Sequence, residues 1–184
     1  MDTPKVSVAD MEKKHVVRYA DCNGSDLAYL DQRLPGHERE IVNVIGMNVT
    51  ENMDDPDLEP KLGNAHGFSL VYNKAKPGSG SGPDFHVHQT EEVFIPMKGT
   101  WEVVWLEDEV ERAIALEPLD VASVPIGIYR GFRCISGEPD AMMLAIVGGP
   151  DAGKVSWHPG VIDRARETGL EVDDEGNLKE VAAD

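Results

Sequence analysis

The stretch Gly80-SGPDF-His86-Val-His88-QTE-Glu92-VFIPMK-Gly99 constrains this chain more than any other. It sets two histidines one residue apart, with a carboxylate four residues further on and glycines at both ends. In a strand, side chains alternate between faces, so His86 and His88 point the same way. Glu92 follows after a short bend and can return to the same spot. Two imidazoles and a carboxylate on one face make a facial triad, which leaves coordination positions open for substrate or dioxygen. The residues therefore predict a metal site of His86, His88 and Glu92, without specifying a reaction. Iron(II), manganese, nickel and zinc all accept imidazole and carboxylate ligands.

The spacing resembles the first signature of the cupin superfamily: Gly, five residues, His-X-His, three or four residues, Glu, six residues, Gly. Gly80, His86, His88, Glu92 and Gly99 fill every fixed position. A second signature of the family is similar to the segment from Leu119 to Cys134. There Pro125 and Gly127 match, whereas Leu119 stands in place of a glycine and Cys134 in place of an asparagine. Arg130 occupies the position of the family's fourth metal ligand, a histidine. A guanidinium stays protonated and offers no lone pair, so it cannot ligate. The resemblance spans roughly residues 66 to 148. It implies a double-stranded β-helix, a jelly-roll barrel, and a metal-dependent, dioxygenase-like oxidoreductase whose three remaining ligands face an arginine.

The local pattern agrees with an all-β fold. Strands are predicted at His15–Tyr19, Ile41–Ile45, Gly67–Ala75, Phe85–Gln89, Glu92–Met97, Thr100–Leu106, Glu111–Leu116, Val121–Val124, Gly131–Ser136 and Ala141–Val147. About ten short strands with regularly spaced turns argue for an antiparallel sandwich or barrel. A short helix is expected at Asp26–Gln32. Another is expected within His158–Gly169, where Pro159 suits the first turn and Gly169 the stop. Residues 1–40 read as an N-terminal arm and turn-rich segment packing on the barrel, and residues 41–150 as the barrel itself. Residues 151–184 read as a C-terminal helix and an acidic tail, disordered after Glu171. All belong to one domain, consistent with 184 residues.

With 17 basic against 34 acidic residues the net charge is −17, which repels phosphate backbones and anionic lipid. Nucleic-acid and membrane roles are therefore disfavoured, and an anionic substrate needs a local cation. No run approaches the ~20 apolar residues of a membrane helix. The N-terminus lacks an apolar signal core, and Cys22 and Cys134 make no disulfide framework, so a cytoplasmic location is expected. Exposed barrel faces predict a homodimer, with the terminal helix and the N-terminal arm contributing.

Individual residues carry competing readings. Glu92 is a ligand, a general base, or the partner of Arg130 in an internal ion pair. Arg130 either clamps an anionic small-molecule substrate or fills the site through Glu92. Tyr129 is a candidate proton donor. Phe94, Trp101 and Phe132, with Phe85, Trp105, Met142 and Met143, wall a substrate pocket or form barrel core. His66 is a candidate for the missing ligand. The favoured function is an oxygenase acting on a small aromatic or enolic acid. A metal-assisted isomerase or lyase, and a non-catalytic binding module closed by Glu92–Arg130, are the alternatives.

Overall fold

The structure is a computed structural model and describes residues 5–46, 50–63, 67–76, 80–149 and 154–182. Helix α1 (Val8–His15) precedes strands β1 (Arg39–Ile45), β2 (Phe68–Ala75), β3 (His86–Val87) and β4 (Glu92–Lys98). Strands β5 (Trp101–Glu107), β6 (Val110–Leu116), β7 (Ala122–Val124), β8 (Arg130–Cys134) and β9 (Met142–Gly148) follow. The chain then forms β10 (Ser156–Trp157), helix α2 (Pro159–Glu167), β11 (Leu170–Val172) and β12 (Leu178–Glu180). Two five-stranded sheets, ordered β1-β2-β9-β4-β7 and β10-β3-β8-β5-β6, make up the jelly roll, and β11-β12 is a separate hairpin. The all-β architecture with a short C-terminal helix is as expected.

Inward-facing residues of both sheets meet in one core. Phe94 and Ala145 from the first sheet pack with Trp101, Val103 and Phe132 from the second. The rings of Phe94 and Phe132 lie edge to face at 4.8 Å, and those of Trp101 and Phe132 at 5.6 Å. Alternation along the strands places these side chains inside, the usual consequence of a two-residue period. A second cluster joins Leu30 and Leu34 of the N-terminal segment to Trp157, Val161, Ala165 and Leu170. Thus the segments flanking the barrel in sequence pack against each other on one side of it.

Gly99 turns β4 into β5 with φ at +79°, and an added Cβ would sit 2.5 Å from Ser136 Oγ. Only glycine meets both demands, which explains the closing glycine of the first motif. Gly127, also at positive φ, makes the turn that delivers Arg130 to the head of β8.

Three local expectations are corrected. His15–Tyr19 is not a strand: α1 covers Val8–His15, where Ser7 caps by accepting from the Asp10 backbone N–H at 3.0 Å. That Ser-x-x-Asp start is a helix signal that outweighs the short apolar run beyond it. The Asp26–Gln32 helix contracts to a single 3-10 turn at Leu30–Arg33. The acidic end is ordered through residue 182 rather than disordered after Glu171, because β11 pairs with β12. Asp173 closes that hairpin by accepting from the backbone N–H groups of Glu175 and Asn177, each at 2.9 Å. The tail helix matches expectation: Pro159 opens it and Gly169 follows its end. Among the described residues, no helix is long and apolar enough to cross a membrane.

Candidate metal centre

Antiparallel pairing of β3 with β8 sets His86 directly opposite Arg130. Glu92 begins β4 in the facing sheet. The site is therefore assembled across the two sheets, from strands adjacent in sequence but not hydrogen-bonded to one another. His86, His88 and Glu92 are all buried, and one ligand atom from each falls within a cluster no wider than 4.8 Å. Glu92 Oε2 lies 3.6 Å from His86 Nε2 and 3.7 Å from His88 Nε2. These separations are too long for hydrogen bonds. They are close to the roughly 3.4 Å between neighbouring ligands around a tetrahedral ion at ~2.1 Å.

Each imidazole is held from behind. His86 Nδ1 donates to the Asp84 carbonyl and His88 Nδ1 to the Lys154 carbonyl, both at 2.8 Å. A carbonyl only accepts, so the proton sits on Nδ1 and Nε2 is turned toward Glu92. This is the tautomer a metal-ligating histidine needs, with its other nitrogen anchored to backbone. Burial pushes His88 down to about 4 against the upward pull of Glu92, leaving it neutral at pH 7. Burial would raise the Glu92 carboxyl, but His86, His88 and Arg130 outweigh it and hold the group at about 2. At neutral pH the three residues thus present a carboxylate and at least one neutral imidazole, a donor set that fits a divalent ion.

Arg130 is fully buried, and its Nε donates to Glu92 Oε2 at 2.9 Å. Its Nη1 contacts the Ile128 carbonyl at 3.3 Å, and Nη2 has no partner among the described residues. The guanidinium does not line the cavity in front of the histidines. Tyr129 is half-buried, packs edge to face on His158 at 4.9 Å, and also lies off the cavity. Phe94 and Trp101 sit in the barrel core, while Phe132 belongs both to the core and to the cavity wall. Trp101 Nε1 donates to the Lys98 carbonyl at 3.0 Å. His66 lies outside the described residues.

Sequence reasoning missed several groups around the site. The cavity, about 50 Å³, is walled in part by Tyr29, Arg39, Ser69 and Asn73. Arg39 is buried in a two-bond pair with Asp31, at 3.0 and 2.9 Å. Asp31 in turn accepts from the Asp84 backbone N–H at 2.9 Å, tying this pair to the carbonyl that anchors His86. Trp157 lies 5.5 Å from the His86 ring, and its Nε1 donates to Glu51 at 2.7 Å. Burial raises Glu51 to about 7 in spite of that bond and one from the Leu30 N–H. Burial also holds the Tyr29 hydroxyl above its ordinary range, so it stays protonated. A buried Asp31–Arg39 pair leaves no local sequence signal, because its members sit in a turn and at a strand start.

No family model matches the sequence, and no curated protein matches it. Solved structures do. The polyketide cyclase RemF from Streptomyces resistomycificus shares 19% identity over 72% of this chain and 78% of its own, with a TM-score of 0.51. A cupin 2 domain-containing protein from Halorhodospira halophila shares 18% identity over 69% of this chain and 75% of its own, with a TM-score of 0.47. Oxalate decarboxylase from Bacillus subtilis shares 15% identity over 75% of this chain, with a TM-score of 0.47. The chain spans 31% of that enzyme's length. The likeness to RemF is one of fold, a double-stranded β-helix of two antiparallel sheets.

Proposed function

We propose that this protein is a cupin-type mononuclear metalloenzyme, an oxygenase acting on a small enolic or aromatic acid. The observation that carries the reading is the convergence of His86, His88 and Glu92, with both imidazoles anchored through Nδ1. A bound iron(II), manganese, nickel or zinc ion would supply Lewis acidity and open positions for substrate and dioxygen. Arg130 holds one oxygen of Glu92 and so fixes the orientation of that ligand. Phe132 and Trp157 contribute apolar surface to the wall of the cavity.

The Glu92–Arg130 contact also favours a second reading, a small-molecule-binding module whose charges are already paired. Metal analysis of protein purified without chelator separates the two. About one equivalent of transition metal per chain is expected. Less than about a tenth of an equivalent, with no gain on reconstitution, would sink the metalloenzyme reading. Oxygen uptake with a panel of enolic and phenolic acids then tests the reaction. Substrate turnover without oxygen consumption would turn the assignment to an isomerase or lyase.

The outer strand β6 exposes Val110 and Ile114 along an edge with no further strand beside it among the described residues, which suits self-association. A homodimer is proposed on that basis. Light scattering coupled to size exclusion should give twice the chain mass; a mass of one chain would count against it. Cys22 and Cys134 are both free, as suits a reducing compartment such as the cytoplasm.

A further inference from the structure

We infer that Arg164 of α2 is a positioning residue for the metal centre: by gripping the Asp84 carboxylate it clamps the C-terminal segment onto β3, where that segment orients both histidines. The inference rests on the metalloenzyme reading and adds a residue outside the barrel to the apparatus that holds the ion. The segment from Lys154 to Trp157 touches both imidazoles. Its Lys154 carbonyl accepts from His88 Nδ1 at 2.8 Å, and β10 pairs with β3 so that Trp157 stands directly opposite His86. The Trp157 ring also lies 5.5 Å from the His86 ring.

That pairing is short. Ser156 and Trp157 are in register with β3, and the His158 N–H extends the contact by donating to the Phe85 carbonyl at 3.0 Å. So brief a ladder holds a strand weakly, and the segment depends on what comes next. Helix α2 comes next. Val161 and Ala165 bury one side of it in the cluster with Leu30 and Leu34, and Arg164 Nη2 donates to Asp84 Oδ2.

Asp84 is the node at which this grip meets a ligand. Its carbonyl accepts from His86 Nδ1, its N–H donates to Asp31, and its Oδ1 accepts from the Phe85 N–H at 2.7 Å. The carboxylate is 7% exposed, so Arg164 meets a charge largely removed from water. His37 Nε2 stands 3.3 Å from the same oxygen, yet its Nδ1 faces the Gly82 carbonyl at 2.9 Å. A neutral His37 ring has one proton; donated to Gly82, it leaves none for Asp84. Without Arg164 the carboxylate turns toward solvent and moves the backbone behind His86. Release of α2 loosens β10 in the same event, and with it the Lys154 carbonyl behind His88.

Competition against a chromophoric chelator, with zinc as the probe, tests this on the full chain. Arg164→Ala should weaken zinc binding about tenfold, the low end of the range for groups that orient a ligand. Arg164→Lys keeps the cation and should recover most of that loss. Arg166→Ala lies on the same helix, where its nearest carboxylate is Glu171 at 3.9 Å, and should leave affinity unchanged. A general loosening of α2 would not distinguish the two positions. In an Asp84→Asn background, Arg164→Ala should have no further effect, because the two residues act as a pair. Wild-type affinity in Arg164→Ala would overturn the inference, as would an equal loss in Arg166→Ala, no recovery with lysine, or an undiminished effect beside Asp84→Asn. If the wild-type protein takes up no metal, the metalloenzyme reading fails by itself. The clamp is then judged on metal-free protein by nitrogen-15 NMR of the histidine rings. His86 and His88 should carry their proton on Nδ1 in the wild type and lose that preference in Arg164→Ala; unchanged ring signals would overturn it.

Discussion

Arg130→Met is expected to lower the free energy of unfolding at neutral pH by about 3–5 kcal/mol, the usual cost of stranding one member of a buried ion pair. Glu92 is 4% exposed and ionised, and Arg130 is its closest cationic partner at 2.9 Å. His88 is neutral at that pH and cannot take over the role. Denaturant unfolding with and without chelator separates the components. A divalent ion should restore part of the loss, because it meets the same carboxylate charge. Adding Glu92→Gln to the Arg130→Met background should recover most of the stability without metal, since the stranded charge is gone. A loss below about 1 kcal/mol would mean that Glu92 is sustained by something else. Arg130→His gives the complementary result. Register opposite His86 places the new imidazole beside the existing ligands, so metal affinity should rise. Unchanged affinity would place position 130 outside the coordination sphere.

His86→Ala and His88→Ala are each expected to weaken metal binding by more than about 100-fold. Disturbing the groups that merely orient a ligand already costs 10–100-fold, and here the ligand itself is removed. Competition against a chromophoric chelator measures the change directly. Both imidazoles are buried and fixed through Nδ1, so neither can be replaced by a side-chain rotation nearby. His86 also packs on Trp157, whose fluorescence reports whether the truncated variant keeps its local structure. Wild-type affinity in either variant, with native fluorescence, would show that the ion binds elsewhere.

How much of this was legible beforehand differs between ligands and surroundings. The histidine pair and Glu92 could be read because strand alternation and a short bend act within seven residues. Gly99 and Gly127 could be read because each turn needs a positive φ that few other residues adopt. The wall of Arg39, Ser69 and Asn73 could not. Each looks like an ordinary polar residue on a half-exposed strand, and burial follows only when the inner faces of β1 and β2 are closed over by the rest of the barrel. The hairpin of β11 and β12 was hidden by acidic composition, which suggests a solvated tail. Asp173, Lys179 and the backbone contact from Leu178 to Glu51 hold it instead.

By itself, the sequence determined the barrel class, the trio of candidate metal ligands and the presence of a cation at position 130. These depend on local periodicity and spacing, which hold wherever the chain goes. Only the tertiary structure decided that Arg130 reaches Glu92 and that Arg39 stands at the cavity. Both outcomes depend on pairings between strands distant in sequence, and a buried charge takes whichever partner that pairing brings within reach.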